Sequence, residues 1–133
     1  MIVISTDKSR LQINVIHQFL TTTYWAKGRT LQEVTKTIEN CLCFGVYLNE
    51  KQIGFARIAT DYVVFAYLMD VFILPEHRGK GYSKALMQEI HQEPQLKTCK
   101  VWMLKTADAH GLYKQFGYTD LKNPEKVMER ILK

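Results

Sequence analysis

Asp70-Val71-Phe72-Ile73-Leu74-Pro75-Glu76-His77-Arg78-Gly79-Lys80-Gly81-Tyr82-Ser83-Lys84-Ala85-Leu86-Met87 is the stretch that decides the fold. It reads as an apolar strand, a short turn carrying Arg, Lys and two glycines, and then a helix. Such a junction makes an anion site. The first amides of a helix lack internal partners, and the helix dipole adds partial positive charge there. Gly79 and Gly81 let a phosphate approach the backbone, since no Cβ intervenes. Arg78, Lys80 and Lys84 add full charges around the same point. The turn lacks the Gly-Lys-Ser/Thr ending of a nucleotide P-loop. Its glycines are also too few and too close for a dinucleotide fingerprint.

The remaining chain reads outward from this junction. Upstream, Val63 to Leu74 is a long apolar run of the kind expected of a central strand buried on both faces, closed by Pro75. Before it, Cys41 to Leu48 and Ile53 to Thr60 read as strands joined by a hairpin turn at Asn49-Glu50-Lys51-Gln52, and Asp61-Tyr62 marks the next turn. Ile2 to Thr6 is a short first strand. Ser9-Arg10-Leu11-Gln12 has the form of a capping box for a helix carrying Ile13, Ile16, Phe19 and Leu20, which Thr21-Thr22-Thr23 ends. Thr30-Leu31-Gln32-Glu33 is a second box, with Leu31, Val34 and Ile38 on the buried face that follows. Downstream, a helix from Gly81 to about His91 buries Tyr82, Leu86 and Ile90, and Pro94 stops it. A strand is expected over Val101 to Thr106, a helix over Ala107 to Phe116 with Gly117 as C-cap, and strands over Tyr118 to Leu121 and Lys126 to Leu132.

The 133 residues suit one domain, and no repeat or linker divides them. A net charge of +5 suits an anionic ligand, but no long Lys/Arg run indicates nucleic acid. No apolar run has the length of a membrane span, and Met1-Ile2-Val3-Ile4 lacks the basic start of a signal peptide. Three cysteines argue against a secreted disulfide framework, and no second pair at ligand spacing supports a metal. Thiols in or near the core of a cytoplasmic protein are expected.

Arg78-Gly79-Lys80-Gly81-Tyr82-Ser83 resembles the Arg/Gln-x-x-Gly-x-Gly/Ala signature of the GNAT superfamily of N-acetyltransferases, with Ser83 where Gly or Ala is usual. Ala109-His110-Gly111-Leu112-Tyr113-Lys114-Gln115-Phe116-Gly117-Tyr118 is similar to that family's Ala-x-x-Leu-Tyr-x-x-x-Gly-Phe ending. The element order matches as well, so the resemblance covers nearly the whole chain. It implies an α+β fold with a mixed, mostly antiparallel sheet of six to seven strands, helices on both faces and a splayed central parallel pair. It also implies acetyl-coenzyme A as donor and a primary amine as acceptor, joined by direct attack on the thioester. In that reading Arg78 to Ser83 cradle the pyrophosphate, and Val71, Phe72 and Ile73 hold the pantetheine arm. A bulge near Val71 aims an amide at the thioester oxygen, and Thr106 stands where Asn is common.

Tyr113 would face the coenzyme sulfur as the acid. A phenol near pKa 10 can hand its proton to a thiolate near 8.5. The alternative is a place in an aromatic stripe with Leu112 and Phe116. For the base the sequence offers Asp70, a charge in an apolar strand that is either partnered or catalytic, and His110, one helical turn before Tyr113. The family's acceptor pocket points to Tyr24, Trp25 and Arg29, with Asp61 either joining them or serving its turn. A catalytically silent acetyl-coenzyme A sensor is the alternative function. The oligomeric state is open, a homodimer included.

Overall fold

The computed structural model describes residues 1–132. The sheet runs in the order β1-β2-β3-β4-β5, with β1 at Val3–Ser5, β2 at Leu42–Leu48, β3 at Lys51–Thr60, β4 at Phe65–Ile73 and β5 at Val101–Leu104. The first four strands pair antiparallel, and β4 pairs parallel with β5. Helices α1 (Ile13–Leu20) and α2 (Leu31–Glu39) cover one face. They pack Ile16, Leu20, Val34 and Ile38 against Cys43, Phe55 and Phe72. On the other face α3 (Tyr82–His91) inserts Leu86, Met87 and Ile90, and the short α4 (His110–Lys114) adds Tyr113. This is the α+β fold with helices on both faces that the sequence implies.

The sheet has five strands instead of six to seven. Tyr118 to Leu121 is not a strand, because the chain is still closing α4: with Gly117 at φ 90°, the Tyr118 amide donates back to the Tyr113 carbonyl at 3.3 Å. Lys126 to Leu132 is not one either. Its large apolar residues come as adjacent pairs, Val127-Met128 and Ile131-Leu132, which a period-two strand would split between its two faces. All four are exposed. The parallel pair consequently lies at one edge of the sheet and not at its centre. It pairs only from Phe65 to Leu68 against Val101 to Leu104 and opens beyond.

Thr30 caps α2 with both halves of its box present: Glu33 N donates to Thr30 Oγ1, and Thr30 N to Glu33 Oε1. The first expected box does not form. Ser9 lies in a 3-10 turn capped by Asp7, and Gln12 stands at the N-cap of α1 without capping it. The Gln12 side chain is instead committed to the β2–β3 hairpin. Its Nε2 donates to the Glu50 carbonyl at 2.8 Å and its Oε1 accepts from Gln52 N, while Gln12 N donates to the buried Gln52 Oε1 at 2.7 Å. Strand β4 begins at Phe65, not Val63, because Asp61 Oδ1 accepts the amides of Val63, Val64 and Phe65 and holds them in a turn. Those amides, Val64 foremost, hold the Asp61 carboxyl below the usual carboxylate range. The three cysteines are buried and free, and burial pushes the Cys43 thiol up to about 12, far from thiolate reactivity.

The hairpin turn places both Asn49 (φ 50°) and Glu50 (φ 73°) in the left-handed region, as a two-residue loop of this hand requires. Asn tolerates that region and Glu does not. Glu50→Gly is therefore expected to stabilise the fold by about 1 kcal/mol, measured as a raised urea midpoint at unchanged slope.

Candidate active site

Strand β4 organises the site through an irregularity. Phe55 pairs with Phe72 and Arg57 with Met69, so Ala56 alone on β3 faces both Asp70 and Val71 on β4. This is a β-bulge, and Asp70 carries it at φ 54°, a conformation that short polar side chains tolerate best. Its carboxylate is 2% exposed and fully engaged. Oδ1 accepts Trp25 Nε1–H at 2.9 Å; Oδ2 accepts Arg29 Nη1–H at 2.8 Å and Arg57 Nε–H at 2.9 Å. The sequence left Asp70 between a partnered and a catalytic role, and the geometry supplies three partners. Two guanidinium ions share one of its oxygens, and the indole of Trp25 takes the other.

Beyond the bulge the free edge of β4 is exposed to a ligand. The Leu74 amide donates to the Ile53 carbonyl on β3 at 2.8 Å, so by strand alternation Phe72 also faces β3 while Val71 and Ile73 point their amides to the edge that β5 has left. The Ile73 carbonyl on that edge already accepts Arg78 Nε–H at 2.9 Å. Arg78 is thus tied to the end of the strand, just before the glycine turn in the chain, with its guanidinium carbon 5.9 Å from the Phe19 ring centre. That turn has Gly79 at φ 79° and Gly81 at φ 80°. Nothing lies within 4 Å of where a Cβ at either would stand, so backbone conformation and open space in front of the turn, not crowding within the chain, call for glycine. Gly81 is the N-cap of α3 and brings no capping side chain, so the leading amides of that helix are uncapped. Lys80 and Lys84 are exposed beside it, and Tyr82 and Ser83 are half-buried. An open strand edge leading to an uncapped helix start with three nearby cations fits an extended, amide-bearing ligand that ends in phosphates.

The splay between β4 and β5 opens a cleft of about 500 Å³, within the usual range of a small-molecule site. It brings together Tyr24, Trp25 and Arg29 from the α1–α2 loop, Asp70 and Val71 from the bulge, and Thr106 and Tyr113 from the far wall. Tyr24 and Trp25 meet edge to face at 5.2 Å between ring centres. The loop is fixed by His17 Nε2 on the Arg29 carbonyl at 3.1 Å and by the buried Thr23 hydroxyl, which donates to Leu20 O and accepts from Ala26 N. Thr106 Oγ1 accepts the Ala109 amide at 3.0 Å, capping the turn into α4. Tyr113 is buried within the core yet reaches the cleft. Burial first, and then the charge of Asp108, lift its phenol above the ordinary value, so it stays protonated.

Two expected residues lie elsewhere. Asp61 serves its turn and does not line the cleft, and the exposed His110 lines a separate cavity of about 310 Å³ behind α4. Three charged residues in the cleft wall escaped the sequence reading, Arg57, Lys105 and Asp108. Arg57 was detectable as a lone cation in the otherwise apolar Ile53-Gly54-Phe55-Ala56-Arg57-Ile58-Ala59. Asp108, in a loop of mixed polarity, gave no such signal.

An α+β sheet that splays a parallel edge pair beside an uncapped, glycine-led helix start suits an extended anionic ligand, and comparison identifies the family. The model of the acetyltransferase (GNAT) domain matches residues 39–120, and the chain belongs to that family. A Xanthomonas campestris structure, provisionally described as an acetyltransferase of the GNAT family, is 47% identical and superposes with a TM-score of 0.97 over 99% of this chain and 94% of its own. A Gibberella zeae protein with a provisional acetyltransferase name is 29% identical over 90% of this chain and 80% of its own length. A Clostridium acetobutylicum structure, described as a predicted acetyltransferase with acetyl-CoA, shares the fold at a TM-score of 0.74 and 15% identity, over 98% of this chain and 96% of its own.

Removing one member of a buried charge cluster leaves the others uncompensated. Asp70→Asn is expected to destabilise the protein by about 3 kcal/mol in urea unfolding, because two guanidinium ions lose their shared anion.

Proposed function

We propose that this protein transfers the acetyl group of acetyl-coenzyme A to a primary amine, by direct attack of the amine on the thioester. The observation that carries the reading is the bulge at Asp70. It turns the Val71 amide to the open edge of β4, within the cleft that Tyr113 also lines. Family membership supports the donor, as does the acetyl-CoA in the description of the Clostridium structure. The donor supplies an activated acyl carbon and a thiolate leaving group.

The chain's own residues divide the remaining tasks. The amides of Gly81 to Ser83, with Arg78, Lys80 and Lys84, hold the pyrophosphate. The edge amides of Val71 and Ile73 align the pantetheine arm alongside Phe72. Val71 N–H faces the thioester oxygen, where a preorganised donor is worth roughly 3–4 kcal/mol of barrier. A C–N bond forms and the C–S bond breaks; Tyr113 protonates the departing sulfur, and the proton that the attacking amine loses returns, through water, to restore the phenol. Burial raises its phenol, so it remains a donor across the working pH range. Tyr24, Trp25 and Arg29 receive the acceptor. Such a cycle fits the cytoplasm, where the coenzyme is abundant.

Calorimetric titration with acetyl-coenzyme A, with NADH and ATP as controls, tests the donor site: selective micromolar binding is expected, and no binding overturns the proposal. Gly81→Val, forced into a left-handed conformation, is expected to abolish that binding, and unchanged affinity would remove the phosphate cradle. Tyr113→Phe is expected to lower kcat at least about tenfold with coenzyme affinity close to unchanged, whereas a parallel loss of affinity would assign Tyr113 to packing. In the unmodified protein, no fall in kcat from ionisation of this phenol is expected below about pH 10, since burial moves its titration upward from there.

A further inference from the structure

The cleft wall holds more positive charge than the chain compensates. Arg57 is 8% exposed, yet besides its Nε bond to Asp70 its nitrogens find only sulfur: Nη1 is 3.4 Å from Cys41 Sγ and Nη2 is 3.6 Å from Met69 Sδ. Both are weak acceptors for a guanidinium. Arg29, with a side chain 22% exposed, places only Nη1 on Asp70. One carboxylate thus serves two guanidinium ions, and both arginines line the cleft. A buried cation without a full counter-charge is costly, and an incoming anion relieves that cost. The excess is one unit, which a monoanion balances, and a planar carboxylate matches the guanidinium fork. Among the described residues, the only acidic side chain lining the cleft besides Asp70 is Asp108, on the wall with Tyr113. The unbalanced positive charge thus lies on the α1–α2 side of the cleft, while on the α4 side Asp108 stands with Lys105, whose ammonium is already paired with Glu129 at 2.9 Å.

We infer that the acceptor is an amino acid or similar carboxylate-bearing amine, its carboxylate held by Arg29 and Arg57 and its ammonium directed toward Asp108 and Tyr113. This deepens the proposed function and rests on it. Tyr24 and Trp25 then flank the acceptor's side chain. Arg29 acts as a specificity residue, while Asp70 sets the position of both arginines.

The test measures thiol release from acetyl-coenzyme A with the common amino acids, their carboxamides and the corresponding plain amines. At least one free acid is expected to exceed its own amide by about tenfold or more in kcat/KM, because the amide leaves a guanidinium unpaired. In Arg29→Gln, where Asp70 keeps Arg57 and Trp25 as partners, the preference is expected to shrink to about threefold or less, through KM, with acetyl-coenzyme A affinity unchanged by calorimetry. Amides or plain amines turned over as well as acids, a preference that survives Arg29→Gln, or no acid accepted by a protein that binds the coenzyme would each overturn this inference alone. Failure of the unmodified protein to bind acetyl-coenzyme A would overturn the proposed function and this inference with it.

Discussion

The carboxylate of Asp70 is the point on which the rest of the site depends. It joins three segments far apart in sequence: the α1–α2 loop through Trp25 and Arg29, β3 through Arg57, and β4 through its own backbone. A non-glycine residue at φ 54° costs on the order of 1–2 kcal/mol, so the conformation persists only when its surroundings over-determine it. Three charge-assisted or indole hydrogen bonds in a buried setting do so. The same bonds fix the aromatic loop over the cleft, so the backbone of the donor site and the side-chain wall of the acceptor pocket are set by one group.

From that bulge follows the division of β4. Its first half pairs with β5 from Phe65 to Leu68; its second half leaves that edge open and ends in the Gly79–Gly81 turn. Continued parallel pairing would have used the amides of Val71 and Ile73 internally. The bulge and the splay together release them without exposing the core, because Phe72 and Ile73 keep their side chains buried. On the far wall, Gly117 lets the chain double back after α4, and the resulting Tyr118–Tyr113 backbone bond and edge-to-face contact hold the phenol at the mouth of the cleft. The donor strand and the acid thus sit on separate elements, each fixed by its own local closure.

What could be read from the sequence is what local chemistry determines. The glycine turn, the Thr30 box, Gly117 and the helix faces are rules of a few residues, and each of these elements forms. The last two expected strands did not form, since Tyr118 is held back to α4 by its bond to the Tyr113 carbonyl and the apolar residues of Lys126 to Leu132 come in adjacent pairs instead of alternating. Ser9 failed as a cap for a different reason: Gln52, forty residues away in sequence, takes the Gln12 amide that Ser9 would have capped, and this two-way clasp between the glutamines prevails over a local box. For the site, Tyr24, Trp25, Arg29 and Tyr113 were legible because large or charged residues at loop and motif positions stand out. The sharing of Asp70 between two arginines was not, because it depends on the register of β3 against β4. Asp61 illustrates the limit: in sequence a carboxylate in a turn cannot be told from a carboxylate in a pocket.

That sharing also bears on how protons move under the proposed reaction. A base must accept a proton from the incoming ammonium, and Asp70 is the most buried carboxylate of the cleft. Both of its oxygens are already engaged, by Trp25 on one and by Arg29 and Arg57 on the other. Asp108 has no such obligation. It is exposed, it stands on the same wall as Tyr113, and water reaches it. An amine held between a cationic end and Asp108 is favoured as its ammonium on arrival; it passes one proton outward through water before it attacks, and the second, lost as the amide forms, restores the Tyr113 phenol. Tyr113 meanwhile supplies a proton inward to the sulfur. The two transfers are then separated in space, and the carboxylate at the bulge is left to hold geometry while chemistry proceeds around it.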